Sequence, residues 1–160
     1  MMKVTVIAVG KLKEAYLRDA CAEYIKRLGA YAKVNIVEIN EYRCCDNPSA
    51  AEIAAVLEKE GEAIAAKIPK GAYVVPLCIE GKQLSSEAFS QQLETAALSG
   101  TSELVFIIGG SFGMDEKVKQ LGSLRLSFGK ITLPHQLMRV VLLEQIYRAF
   151  SIANHTKFHK

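Results

Sequence analysis

The chain has 160 residues, half of them apolar and 23% charged, which is enough to bury one core and too little for two. That composition excludes a disordered polymer. A net charge of +3 excludes naming a nucleic-acid binder from charge alone, so any such affinity has to come from a local patch.

In chain order, Val4 to Val9 is a short β-branched run closed by Gly10, which predicts a strand; its apolar stretch is too short and its flanks are wrong for a signal peptide. Leu17, Ala20, Cys21, Tyr24 and Leu28 follow at helical spacing. Lys33 to Ile39 alternates as a half-buried strand does, and the polar stretch Asn40 to Pro48 reads as a loop. Ser49 and Glu52 have the spacing of a capping box, and Ile53, Val56, Leu57, Ile64 and Ile68 continue one helical stripe up to Pro69 and Gly71. Tyr73 to Ile79 is another apolar run, in which Pro76 lacks the donor of a central strand and implies an edge, a bulge or a strand end. Ser85 caps a helix expected to turn Phe89, Leu93, Ala96 and Ala97 inward.

Leu104 to Ile108 is five apolar residues between Glu103 and the pair Gly109-Gly110, the pattern of a strand buried on both faces. A short helix is expected after Met114, an extended segment from Leu124 to Phe128, and a long helix from His135 to Phe150 just after Pro134. Strands alternating with helices predict a single α/β domain over residues 1–160 with a mostly parallel sheet.

The four cysteines, Cys21, Cys44, Cys45 and Cys78, contain no C-x-x-C pair, and sequence neighbours do not readily chelate one ion, so no metal site is expected. Cysteines within apolar runs fit a reducing compartment. No apolar stretch reaches the roughly eighteen residues that cross a bilayer, and the expectation is a cytoplasmic protein without a membrane partner.

Ligands of open α/β sheets bind beyond the carboxyl ends of strands, which makes Ile108-Gly109-Gly110-Ser111-Phe112-Gly113 the first place to look. It is not a dinucleotide fingerprint, because Ile108 stands at the first glycine, and Gly129-Lys130 is not a phosphate loop, because Ile131 replaces the Ser or Thr. The last helix carries Leu137, Met138, Val140, Val141, Leu142, Leu143, Ile146, Tyr147 and Phe150 around nearly its whole wheel. Such a helix is either fully internal or covered on one side by a two-fold mate. His135 and Arg139 share one side of it; Glu144 and Arg148 share another, either as a surface ion pair or as functional groups. The tail Asn154 to Lys160 combines two histidines, two lysines and Phe158, which suits either a solvated terminus or RNA contact by charge and stacking.

Taken together, several segments resemble one known family. They are Ala8-Val9-Gly10-Lys11-Leu12-Lys13, Phe106-Ile107-Ile108-Gly109-Gly110-Ser111, Leu126-Ser127-Phe128, Pro134-His135-Gln136, Met138-Arg139-Val140 and Leu143-Glu144-Gln145-Ile146-Tyr147-Arg148-Ala149. The chain is similar throughout its length to the ribosomal large-subunit pseudouridine methyltransferases labelled H, of the SPOUT superfamily. The resemblance implies a parallel sheet with helices on both faces, a C-terminal trefoil knot that ordinary connection rules would discard, and a homodimer built partly on the last helix. It implies S-adenosyl-L-methionine held by Leu77, Gly109 and the loop Phe128, Gly129, Lys130, Ile131, Thr132 and Leu133. The implied reaction moves the sulfonium methyl to N3 of a pseudouridine in large-subunit ribosomal RNA, free or in the assembled ribosome.

Candidates to orient that base, bind phosphate or stabilise its deprotonated form are His135, Arg139, Arg148, His155 and His159, with Arg139, Arg148, His155 and His159 as the catalytic set. Phe158 stands where the family commonly has tyrosine, so stacking is kept and a hydroxyl is lost. Pro76 replaces a residue able to donate a hydrogen bond. The alternatives are a non-catalytic ribosome- or RNA-binding protein that keeps the fold, and an α/β enzyme acting on a small molecule without RNA.

Overall fold

A computed structural model describes residues 1–155. Its elements are β1 (Met2–Val9), α1 (Ala15–Leu28), β2 (Ala32–Ile39), α2 (Ala50–Ala65), β3 (Tyr73–Gln83), α3 (Ser86–Leu98), β4 (Glu103–Ile108), α4 (Glu116–Lys119), β5 (Leu126–Ser127) and α5 (His135–Ala153).

The strands form one sheet in the order β2-β1-β4-β3-β5, and every pairing is parallel. Alternation within the strands divides the core in two. Val4, Val6 and Ala8 of β1 and Leu104, Phe106 and Ile108 of β4 pack with Cys21 and Leu28 of α1, Phe89 and Leu93 of α3, and Leu142, Leu143 and Ile146 of α5. Ile7, Val9, Val105 and Ile107 face the other way, against Ile64 of α2 and Val118 of α4. Being covered on both sides is why β1 and β4 are continuously apolar.

The crossovers obey one rule. The β1-to-β2 and β3-to-β4 steps move toward the β2 edge over the face of α1 and α3. The β2-to-β3 and β4-to-β5 steps move the other way over the face of α2 and α4. All four therefore share a single hand, as βαβ units do.

The helix starts follow the expected chemistry. Ser49 Oγ accepts from Glu52 N and Glu52 Oε1 accepts from Ser49 N, both at 3.1 Å, a complete capping box. Ser85 caps α3 by accepting from Ala88 N.

Several expectations change. Ala97 faces solvent, and Ala96 alone of that pair is buried. The α2 helix stops at Ala65, before Ile68. For Pro76, of the three alternatives, the edge is excluded, since β3 lies between β4 and β5, and the bulge holds. Pro76 is the last residue paired with β4, and the β3–β5 register shifts between Leu77 and Lys82, so its missing donor falls where the ladder breaks anyway. The strand then continues to Gln83, four residues past the predicted end. The α5 helix also runs further, to Ala153. It packs on α1 and α3 but is not internal in one chain, since Leu137 stays 38% exposed and Val140, Val141, Tyr147 and Phe150 are half-buried. No helix among the described residues is long and apolar enough to cross a membrane.

Phe106 is fully buried in the central strand and meets Phe89 edge-on at 6.1 Å between centroids. Phe106→Ala should cost about 3–5 kcal/mol, read as a lower urea midpoint with an unchanged slope; a loss under 1 kcal/mol would show that the core does not close on this ring.

Candidate active site

Parallel strands send their carboxyl ends to one edge of the sheet, and the loops leaving β1, β2, β3, β4 and β5 meet there. Between those leaving β3, β4 and β5 lies a cavity of about 640 Å³, within the usual range for small-molecule sites.

One wall is the turn after β4. Gly110 N donates to Gly113 O at 3.1 Å and Gly113 N to Gly110 O at 3.0 Å, which folds the backbone back on itself. A Cβ on Gly109 would lie 2.3 Å from Gly113 O, so the glycine is required by the turn. A bulky residue here would first distort the wall.

The turn is latched from outside by Ser111 Oγ, which donates to Glu41 Oε1 at 2.8 Å. Beneath it sits Glu60, only 4% exposed, accepting from Tyr42 N at 3.0 Å. Burial pushes the Glu60 carboxyl above the ordinary carboxylate value, against the smaller opposing pull of the Tyr42 N–H.

The second wall is the loop from β5 to α5. Ser127 Oγ donates to Ile79 O at 2.8 Å and accepts from Gly129 N at 3.1 Å, while Gly129 adopts φ +115°, a conformation suited to glycine. The third wall is β3 beyond Pro76, with Leu77, Cys78, Ile79 and Glu80. Lys119 donates to Glu80 and holds its carboxyl below the usual range. Burial raises the Cys78 thiol, leaving it a neutral, unreactive wall.

Leu77, Gly109, Phe128, Gly129, Ile131, Thr132 and Leu133 thus all line one cavity, although they come from three distant segments. Lys130 lies in the same loop but is exposed and does not line it. His135 lines the cavity at the start of α5.

Arg139 does not. It is 3% exposed, with Nη1 on Glu38 Oε2 at 2.7 Å and Nη2 on Gly10 O at 3.3 Å. Arg148 pairs with Glu144 one turn before it, its Nε donating at 2.9 Å, which is the helix-surface ion pair. His155 ends the described residues beyond the far end of α5, and Phe158 and His159 lie outside them. From His135 to Ala153 the helix rises about 27 Å, and Phe150 stacks on Tyr31 at 6.1 Å, next to the start of β2. Helix α5 therefore ends at the amino edge of the sheet, opposite the cavity.

Local sequence did not single out Glu80 and Lys119, because the strand was expected to stop at Ile79. Met138 was visible as the residue one turn beyond His135.

The chain matches, over residues 2–159, the family model described as "Predicted SPOUT methyltransferase". The chain belongs to the SPOUT methyltransferase family. It is 53% identical over 159 residues to the ribosomal RNA large subunit methyltransferase H of Streptococcus thermophilus (strain CNRZ 1066), covering 99% of this chain and 100% of the relative. Proteins of that name from Leuconostoc citreum (strain KM20) and Listeria monocytogenes serotype 4a (strain HCC23) are each 51% identical over the same shares. Membership in a SPOUT methyltransferase family implies a methyl donor.

Gly109→Val should lower the melting temperature by several degrees through the turn and weaken ligand binding in the cavity; a variant as stable as the parent would show that the turn relaxes freely. For Glu60 the raised carboxyl means that folding takes up a proton. Its stabilising contribution is complete below the unfolded value of about 4.3 and is lost as pH rises through the folded value. Glu60→Gln should therefore match the parent near pH 4 and gain stability over it toward pH 8, as read from melting temperatures across that range.

Proposed function

We propose that this chain is an S-adenosyl-L-methionine-dependent methyltransferase that methylates N3 of a pseudouridine in large-subunit ribosomal RNA. The observation that carries this reading is the convergence of Leu77, Gly109 and five residues of the loop 128–133 on one cavity at the carboxyl edge of the sheet. The printed name of the half-identical relatives supports the same substrate class.

The residues fit such a cofactor. Leu77, Ile79, Met114, Phe128 and Leu133 offer apolar surface for an adenine. The Gly109 and Gly129 backbones allow close approach. When bound, S-adenosylmethionine supplies an electrophilic sulfonium methyl. The chain's own contribution would be placement: walls fixed by Ser127 and by the Gly110–Gly113 bonds would hold the cofactor in one position, and positioning is worth up to about 7–11 kcal/mol in favourable cases.

The nitrogen must also lose its proton. Among the basic candidates His135 is the one that lines the cavity, which makes it the candidate to orient the base. Arg139 acts through others, by holding the loop at Gly10. We further infer a knotted passage of the β5-to-α5 segment and a homodimer. The half-buried apolar side of α5 supports the dimer. In that dimer, we infer, Arg148, His155 and His159 serve the site of the partner copy.

S-adenosylmethionine at a hundred times its Kd should stabilise the protein by about 2.7 kcal/mol, seen as a raised melting temperature. Incubation with isotopically labelled cofactor and unmodified ribosomes should add one methyl to one large-subunit pseudouridine, located by mass mapping. The chain cut after Ala153 should bind cofactor and lose that transfer. No melting shift at millimolar cofactor would count against the enzyme, and full activity of the cut chain would remove the tail from the mechanism.

A further inference from the structure

We propose that the loop Gly10 to Glu14 is a preformed phosphate clamp, in which Lys11 and Lys13 hold the RNA backbone beside the base that enters the cavity; this rests on the RNA-methyltransferase reading above. A short exposed connection after a strand is ordinarily among the more mobile parts of a domain. Here it is tied along its length. Gly10 N donates to Ile39 O at 2.8 Å, and Gly10 O accepts from the buried Arg139. Arg18 Nη1 reaches back to Leu12 O at 3.2 Å and Lys13 O at 2.8 Å. Lys13 N donates to Gln136 Oε1 at 3.1 Å, fastening the loop to the first turn of α5.

What this bracing presents is charge. Lys11 and Lys13 are exposed, and among the described residues neither ammonium meets a carboxylate. Of the nearby acids, Glu38 is paired with Arg139, Glu41 accepts from Ser111 and keeps its charge, and Glu14 belongs to the loop itself. The position is also specific. A Cβ on Gly10 would lie 3.6 Å from His135 Nε2, so the loop begins against a residue that lines the cavity.

A base cannot enter the cavity without bringing its own phosphates to the rim. Lysine ammoniums bind phosphate as point charges without reading sequence. Fixing their backbone reduces the ordering cost of that contact. A net charge of only +3 is then no obstacle, because the charge is local.

The test compares the full-length parent with Lys11→Gln/Lys13→Gln and with Lys67→Gln/Lys70→Gln. Lys67 and Lys70 are likewise exposed but precede β3, at the opposite edge of the sheet, so both double variants lose the same charge. Binding to free large-subunit RNA and to unmodified ribosomes is measured across salt concentrations, with S-adenosylmethionine affinity in parallel as a check on the fold. Removing two single-strand phosphate contacts should flatten the slope of log K against log salt by about 1.4 in Lys11→Gln/Lys13→Gln, and Lys11→Arg/Lys13→Arg should restore it. The Lys67→Gln/Lys70→Gln slope should equal that of the parent, and cofactor affinity should be the same in all. Equal slopes in the two glutamine pairs would overturn the clamp while leaving the methyltransferase reading intact. A parent that binds cofactor but neither RNA probe would overturn the RNA reading, and the clamp with it.

Discussion

A parallel ladder gathers the carboxyl ends of all its strands on one edge, and there the backbone must find new partners for the groups the sheet no longer satisfies. Most of the site's architecture answers that requirement. Gly110 and Gly113 bond to each other, Gly10 is held between Ile39 and Arg139, Tyr42 N is taken by Glu60, and Gly129 N by Ser127. Each bond closes a loop that would otherwise hang free, and the closures at Gly110–Gly113 and at Gly129 are walls of the cavity. The site is thus what the edge of this sheet becomes once its polar groups are accounted for.

The same requirement explains a buried arginine. Taking a guanidinium out of water is costly unless it is paired and bonded, and Arg139 has both Glu38 and the Gly10 carbonyl. Those partners come from β2 and from the end of β1, whereas Arg139 belongs to α5. One side chain therefore joins the outer strand, the loop beside the cavity and the helix whose first turn lines it. A catalytic part for Arg139 was a reasonable reading of its place one turn after His135, but its geometry is that of a fastening.

Much of the fold was legible because its elements are periodic. The run from Leu104 to Ile108, the Ser49–Glu52 box and the stripe from Ile53 to Ile64 each carry their own signal. What was not legible is long-range or too short to repeat. A two-residue strand such as β5 has no period, and the passage of β3 through Pro76 depends on β4 ending there. The order β2-β1-β4-β3-β5 depends on pairing that no local window contains. At the site, the glycine pair after Ile108 pointed to the right turn on general grounds. Leu77 and the loop 128–133 came from the family resemblance alone, since walls built of apolar side chains and backbone leave no motif. Glu80 and Lys119 escaped both routes.

The long helix poses the remaining physical problem, since it has apolar residues on too many sides and ends far from the cavity that its first turn lines. In one chain these are separate difficulties. In the proposed dimer, a two-fold axis perpendicular to α5 would turn them into one. It would lay two copies of the helix antiparallel, covering Leu137 and Val141 on each. It would also bring the end of one helix to the beginning of the other, where His135 lines the cavity. Ala153, about 27 Å along the helix from His135 of its own chain, would then lie near the cavity of the other copy. On that proposal the apolar outer side of the helix and the place where the helix ends have one explanation, a second copy of the chain.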